Sequence, residues 1–275
     1  HSDSSAASDV YKRQTYITNT TFGGGYSFTT AVQKGFENGV EFYFGYTNME
    51  QRDVAAMTSA QHSSSYGYQP RGYGEIVPAA RSSFMNEHKF VLALSYTTQI
   101  IGDNDTTFSL LGIRKSGEPH SITFGGDSFN GSGRDGYDLA YIPTGVNDPN
   151  VVFASADVAN EVMAFVNSKG CISAYAGTII PRNTCDNPWQ GRIDLRITQE
   201  IKLGDNGHKL VGYFDIQNLY NFQAELPPSW IAATDLEGNK LTLPTNPNEP
   251  DRYQLEKIEN ISGTVLPSIG LQFEF

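Results

Sequence analysis

The chain has 275 residues, 39% of them hydrophobic and 18% charged, and a formal net charge of −11, a length that fits one or two domains or one large β domain. Its longest unbroken apolar run is five residues, Phe90 to Leu94, against the roughly 20 that a spanning helix needs, which excludes a helical membrane protein. The acidic balance argues against nucleic acid as a partner, and 27 Gly, 15 Tyr and 16 Phe point toward β structure.

Residues 1–14 follow neither period 2 nor period 3.6. Asp9-Val10-Tyr11-Lys12-Arg13-Gln14 looks like translated sequencing-adaptor read-through, so 1–14 is set aside as a non-native or disordered leader, and no signal-peptide pattern precedes the fold. Tyr16–Phe22 is a candidate strand. From there period-2 alternation dominates. Tyr26, Phe28, Thr30 and Val32 share a face and pair across Gly35–Gly39 with Phe42, Phe44 and Tyr46. Phe90, Leu92, Leu94 and Tyr96 pair in the same way across Ile101–Asp105 with Phe108, Leu110 and Gly112. Arg114 then falls on the apolar face opposite Leu92. At a bilayer midplane it would cost about 2–4 kcal/mol, but the cost falls toward zero near an interface, and its distance from the turn places it there.

Within the next long polar segment, Val158, Val162, Met163, Phe165 and Val166 lie at near-helical spacing in Ala156–Lys169. This reads as a short loop helix whose apolar stripe packs under the loop. Cys171 and Cys185 fit no zinc or redox motif. A disulfide between them would contribute about 3 kcal/mol in the chain-entropy model and implies an oxidising compartment, a cell surface or periplasm. Two free thiols in a cytosolic protein is the alternative.

Ile193, Leu195, Ile197, Gln199, Ile201 and Leu203 alternate with Asp194, Arg196, Thr198, Glu200 and Lys202, one face nearly all apolar and the other nearly all charged. After the turn Gly204-Asp205-Asn206-Gly207, Leu210, Gly212, Phe214 and Ile216 alternate with Lys209, Val211, Tyr213, Asp215 and Gln217. Folding about that turn sets residue 203 opposite 208 and Arg196 opposite Asp215, with apolar facing apolar. A last strand runs over Thr264–Phe275.

Three connections are short (35–39, 101–105, 204–207) and three long (51–86, 126–188, 221–262), in strict alternation. Long structureless loops are uncommon in compact soluble domains, whereas outer-membrane barrels have short turns at one rim and long loops at the other. The expected fold is all-β: an antiparallel up-and-down transmembrane β-barrel, with residues 15–275 forming an open C-terminal part of seven or eight strands. Single-chain bacterial barrels have an even strand number of eight or more, and an open edge in lipid leaves backbone groups unsatisfied, so further strands are expected upstream. The C-terminus then sits in the periplasm.

No nucleophile elbow, metal-binding His-Glu-x-x-His helix or phosphate loop occurs, and the five His are scattered, so no enzyme is expected. In 127–138, Asp127, Asn130, Asp135 and Asp138 alternate with glycines in a manner that suits a hard cation such as Ca²⁺. The spacing is stretched and lacks a terminal Glu, and a Gly-Asp turn cluster is the plainer reading; no other cofactor is expected. The ladder Arg192, Asp194, Arg196, Glu200, Lys202, Lys209 and Asp215 either lines a substrate path or grips a plug, or keeps a lumen wet and the register pinned. Tyr66, Tyr68, Tyr73, Tyr137, Tyr141 and Trp230 in the long loops suit ligand contact; loop packing and an interfacial girdle explain them equally well.

Several pieces together resemble the C-terminal barrel of Oar-like TonB-dependent receptors: Thr106-Thr107-Phe108-Ser109-Leu110, Ser116-Gly117-Glu118-Pro119-His120-Ser121 and Asp138-Leu139-Ala140-Tyr141-Ile142-Pro143. Arg182-Asn183, Pro188-Trp189, Asp194-Leu195-Arg196-Ile197-Thr198-Gln199 and Asp215-Ile216-Gln217-Asn218-Leu219-Tyr220-Asn221 follow in order. The family often has a tighter Asp-x-Asn-x-Asp-Gly where 127–138 stands. Phe273 and Phe275 resemble the aromatic end read by the outer-membrane assembly machinery. The resemblance implies a 22-stranded barrel in the outer membrane of a Gram-negative bacterium, filled by an N-terminal plug, with extracellular long loops and uptake of a bulky nutrient (peptide, glycan or metal chelate) powered through TonB. No plug, TonB box or signal peptide is recognisable in this sequence, so the chain is expected to be a fragment of such a receptor. A surface adhesin on a barrel anchor and a secreted soluble β-sandwich are the rival expectations.

Overall fold

A computed structural model describes residues 19–55, 57, 59–61, 64–65, 68–72, 77–125, 137–153, 155–187, 189–204, 207–219, 241–242, 252–255 and 265–275. The leader and residues 16–18 of the Tyr16–Phe22 candidate strand lie outside them, and its remaining residues, 19–22, are not in a strand. Seven long strands carry the architecture: β1 (Gly24–Gly35), β2 (Val40–Asp53), β3 (His88–Ile101), β4 (Asn104–Lys115), β5 (Gln190–Lys202), β6 (Lys209–Gln217) and β7 (Leu266–Glu274). They pair antiparallel in chain order from β1 to β7, and the two-residue strand Ala80–Arg81 adds to β2 to make an eight-stranded sheet.

The alternating pattern sets the register. Arg196 stands opposite Asp215 and Ile197 opposite Phe214, as the turn arithmetic predicts. In the first hairpin Thr30 faces Tyr46 and Val32 faces Phe44, while Phe42 falls opposite Lys34. In the second, Leu94 faces Leu110 and Tyr96 faces Phe108, but Arg114 stands opposite Phe90 rather than Leu92. That two-residue correction has a local cause. The turn is tight, with Gly102 at φ 56°, and the register shifts between Gln99 and Ile101. A bulge there absorbs the residue that a wider turn would have used. At the first turn Gly39 has φ 84°, and a Cβ on it would strike the Thr97 carbonyl of β3, so only glycine fits.

The two faces of the sheet differ in chemistry. Phe28, Val32, Phe44, Leu92, Leu94, Tyr96, Phe214, Ile269 and Leu271 lie on one face and are all exposed, from 37% for Leu92 to 84% for Ile269. Among the described residues, no buried apolar side chain belongs to a long strand. The sheet therefore has no dry layer of its own against the apolar face.

The buried core lies instead in the connection between β4 and β5, which forms a cap at the long-loop end. Its helices are α1 (Ala156–Ser168) and α2 (Gly170–Ser173). Ser155 caps α1, its hydroxyl accepting from the Val158 N–H at 3.2 Å, a standard way to satisfy a first-turn donor. The predicted helix is present, and Val162 and Val166 of its stripe are buried, with Val158, Met163 and Phe165 packed partly against them. Around it converge Ile122, Phe124, Ala140, Ile142, Val151, Ile172 and Ile180. Short strands hold the rest: Pro119–His120 pairs with Cys185–Asp186, and Thr123–Gly125, Asp138–Leu139 and Val152–Phe153 join a small sheet with Leu241–Thr242 and Arg252–Leu255. Cys171 and Cys185 are bonded, S–S 2.09 Å.

Buried polar contacts clamp the cap to the sheet. Arg182, with its side chain 3% exposed, places Nη2 2.9 Å from Asp53 Oδ1 at the end of β2. Asn183 donates to the Arg81 carbonyl at 2.6 Å and to Ser83 Oγ at 3.0 Å. Arg81 in turn lies 2.6 Å from Asp186.

Candidate functional site

The polar face of the sheet carries the candidate site. A groove of about 600 Å³ runs along it, lined by Gln33, Tyr43, Ser95, Ser109, Arg196 and Asp215, one residue from each of six consecutive strands. All six open onto one cavity. Glu41, Arg192 and Asp194 line the same groove.

Its charges are organised in pairs. Arg196 donates from Nε to Asp215 Oδ1 at 2.6 Å and from Nη2 to Oδ2 at 2.7 Å, the two-point geometry that guanidinium favours. The Arg196 guanidinium also lies 5.4 Å from the centroid of the Tyr213 ring. That ring covers Gly270 on β7, where a Cβ would strike it. Arg192 pairs with Asp194 at 3.2 Å, and the Asp194 carboxylate accepts from the Asn218 N–H at 3.0 Å. Nearer the short turns, Lys209 sits between Glu200 at 3.1 Å and Glu274 at 3.0 Å, while Lys202 Nζ donates to the Asp103 carbonyl at 2.7 Å. All seven ladder residues named from sequence thus lie in charge-paired or hydrogen-bonded positions on the strands. Glu274, Tyr213 and Glu41 were not singled out, although pairing parity alone assigns each to this face.

The other face has an aromatic band where the strands meet the cap. Tyr46 and Phe90 are 4.9 Å apart between centroids, and His88 and Phe90 lie 5.9 and 6.2 Å from Trp189. The Arg114 guanidinium lies 5.5 Å from the Trp189 centroid. The charge on the apolar face is thus seated among rings at the strand ends. A second group stands at the short-turn end, where His208 and Phe273 are 6.1 Å apart and Phe273 and Phe275 5.9 Å apart.

Only some of the other sequence candidates fall among the described residues. Tyr68 and Tyr137 meet edge to face at 5.5 Å, and the Tyr141 hydroxyl donates to Asp148 at 3.1 Å; Tyr66, Tyr73 and Trp230 lie outside the described residues. Of the calcium candidates only Asp138 is described. It is fully buried in its short strand, next to Arg71 across a β-bridge. Asp127, Asn130 and Asp135 lie outside the described residues, and among those described no cluster of three or more potential metal ligands occurs.

Two buried cap residues escaped the sequence reading, which has no signal for isolated polar residues that become buried through distant packing. The Asp148 carboxylate accepts from the Thr144 N–H at 2.7 Å, the Thr144 hydroxyl at 2.8 Å, the Asn150 N–H at 2.8 Å and Tyr141. Burial pushes its pKa up, but these four donors outweigh it and hold the group at about 2. His120 is held at about 4 by burial and by the nearby Lys169, with Asp186 acting in the opposite sense. Comparison with known protein families, curated proteins and solved structures finds no match for this chain.

Proposed function

We propose that the chain is the C-terminal wall of an outer-membrane β-barrel receptor of the Oar-like TonB-dependent type. In its complete form this receptor takes up a bulky nutrient with energy relayed by TonB. The observation that carries the reading is the division of burial. The sheet leaves its apolar side chains uncovered, while the cap supplies the dry core. A patch of that extent marks an interaction surface, and hydrocarbon is the partner that suits seven adjacent strands at once. The aromatic groups at the two ends of the strands match the girdles of such barrels, and the paired charges of the groove suit a wet lumen facing a plug or a substrate path.

The folded, disulfide-bonded cap favours one second reading, a surface binding protein that uses the barrel only as an anchor. A plug and TonB box encoded in the same gene support the receptor, and a gene with neither supports the anchor.

The membrane assignment has a direct test. The chain is refolded with vesicles whose acyl chains carry bromine, in a background with Trp189 and Trp230 replaced by Phe. Leu94→Trp fluorescence is quenched and Ser95→Trp fluorescence is not. Recovery of the chain in aqueous supernatant, or equal quenching at both positions, overturns the reading.

A further inference from the structure

The chain enters the cap from β4 through residues 116–121 and returns toward β5 through 182–187, and the two segments pair as a narrow neck. Pro119 pairs with Asp186 and His120 with Cys185, and the Asn187 N–H donates to the Glu118 carbonyl at 3.0 Å. Gly117 is pressed so closely to the Asn187 backbone that a Cβ would overlap it. Inside this neck His120 is 9% exposed, and neither of its buried ring nitrogens, Nδ1 and Nε2, has a hydrogen-bond partner among the described residues. A neutral imidazole keeps one donor and one acceptor, so the closed neck strips both of water without replacement; a charged ring in that place costs far more.

The charged groups around the ring come from each neighbouring element. Lys169, at the α1–α2 junction, repels a proton on His120, and Asp186, on the paired strand, attracts one. Asp186 is already engaged by Arg81 at 2.6 Å, and Arg81 also reaches Glu87 at 3.6 Å. Glu118, on the same segment as His120, is paired with Lys115 at 3.1 Å. Each nearby carboxylate therefore has a cation other than His120 beside it.

We propose that His120 is an acid-sensitive latch: its uncharged ring keeps the neck closed, and its protonation parts the Pro119–His120/Cys185–Asp186 ladder and loosens the cap from the sheet. Opening gives the ring water and takes it away from Lys169. It also releases the Asp186–Arg81 and Asn183–Arg81 contacts that clamp the cap, while the Cys171–Cys185 bond keeps the freed strand tethered and the opening reversible. The sign follows from linkage. The closed neck binds the proton with a pKa of about 4 against an ordinary imidazole value of 6.5, so the open form holds more protons between these values and acid favours it. Across that window the opening equilibrium shifts on the order of a hundredfold. The latch does not depend on the membrane reading, because it resides wholly in the cap and neck.

Hydrogen exchange on the full chain in detergent, corrected for intrinsic rates, tests the latch between pH 7.5 and 4.5. Protection of residues 117–122 and 182–187 falls on the order of a hundredfold on acidification, while β3 and β4 keep theirs. His120→Gln removes the response and Lys169→Gln shrinks it. A pH-independent neck in the unaltered chain overturns the proposal, as does a full response in His120→Gln. Where His120→Gln does not fold, as judged by strand protection at pH 7.5, Lys169→Gln decides: an undiminished response in that variant overturns it.

Discussion

Arg196 and Asp215 face each other directly across β5 and β6 and share two parallel hydrogen bonds of 2.6 and 2.7 Å. The Asp215 side chain is 10% exposed and that of Arg196 58%, so the carboxylate end of the pair is covered and the guanidinium end is open. The exposed end keeps the pair's net worth near that of a good surface ion pair. A double-mutant cycle with Arg196→Met and Asp215→Asn, read by urea unfolding in detergent, is expected to give a coupling of about 1 kcal/mol. Arg196→Met alone costs more than Asp215→Asn, because it strands a carboxylate with little access to water.

The two faces of the sheet should respond oppositely to one substitution. Leu94→Arg places a charge on the apolar face in the row Phe42–Leu94–Leu110 and is expected to cost about 2–4 kcal/mol in vesicles. Ser95→Arg, one residue along and on the groove side, is expected to leave folding yield nearly unchanged. Equal costs measured by denaturant titration of the vesicle-bound chain would sink the two-solvent description.

The Cys171–Cys185 bond spans 14 positions and ties α2 to the neck. Its removal by Cys171→Ser with Cys185→Ser lowers cap stability by about 3 kcal/mol in the loop-closure model. Proteolysis after mild reduction is expected to cut first within 140–180 and to leave the β3–β4 hairpin intact.

Asp148 gives the cap a second acid response, with a window below that of His120. Its carboxyl is held at about 2 in the folded cap, below the ordinary value of about 3.9. The stabilisation is fully present above about pH 4 and drains away as pH falls toward 2. Asp148→Asn removes roughly 1–2 kcal/mol at neutral pH and flattens the cap's pH–stability curve between pH 4 and 2. Cap melting followed by near-ultraviolet circular dichroism checks this.

The strands and their faces were legible because period 2 is enforced wherever a sheet has two different neighbours. Ile193–Leu203 and Leu210–Ile216 alone fix the Arg196–Asp215 pairing. The miss at Arg114 shows the limit, since a tighter turn at Gly102 and a bulge near Ile100 have no side-chain pattern and together move the partner by two. The cap was legible only as its helix and its disulfide. Ile122, Ile142, Val151, Ile172 and Ile180 meet in one core, yet they come from separate short segments with no common spacing, so no window carries a period. His120 and Asp148 are functional candidates through burial, which composition does not encode. Arg182 and Asn183, noted only as part of a resemblance, prove to be the clamp on Asp53 and Arg81.

Among the described residues the buried aliphatic cluster lies in the cap, which gives the chain two thermodynamic regimes. Water expulsion alone suffices to collapse the cap, whereas the ribbon beneath it gains little by the same route. In calorimetry the heat-capacity step in plain buffer should therefore report the cap's apolar area, and the ribbon should add its own transition only once an oily phase is supplied.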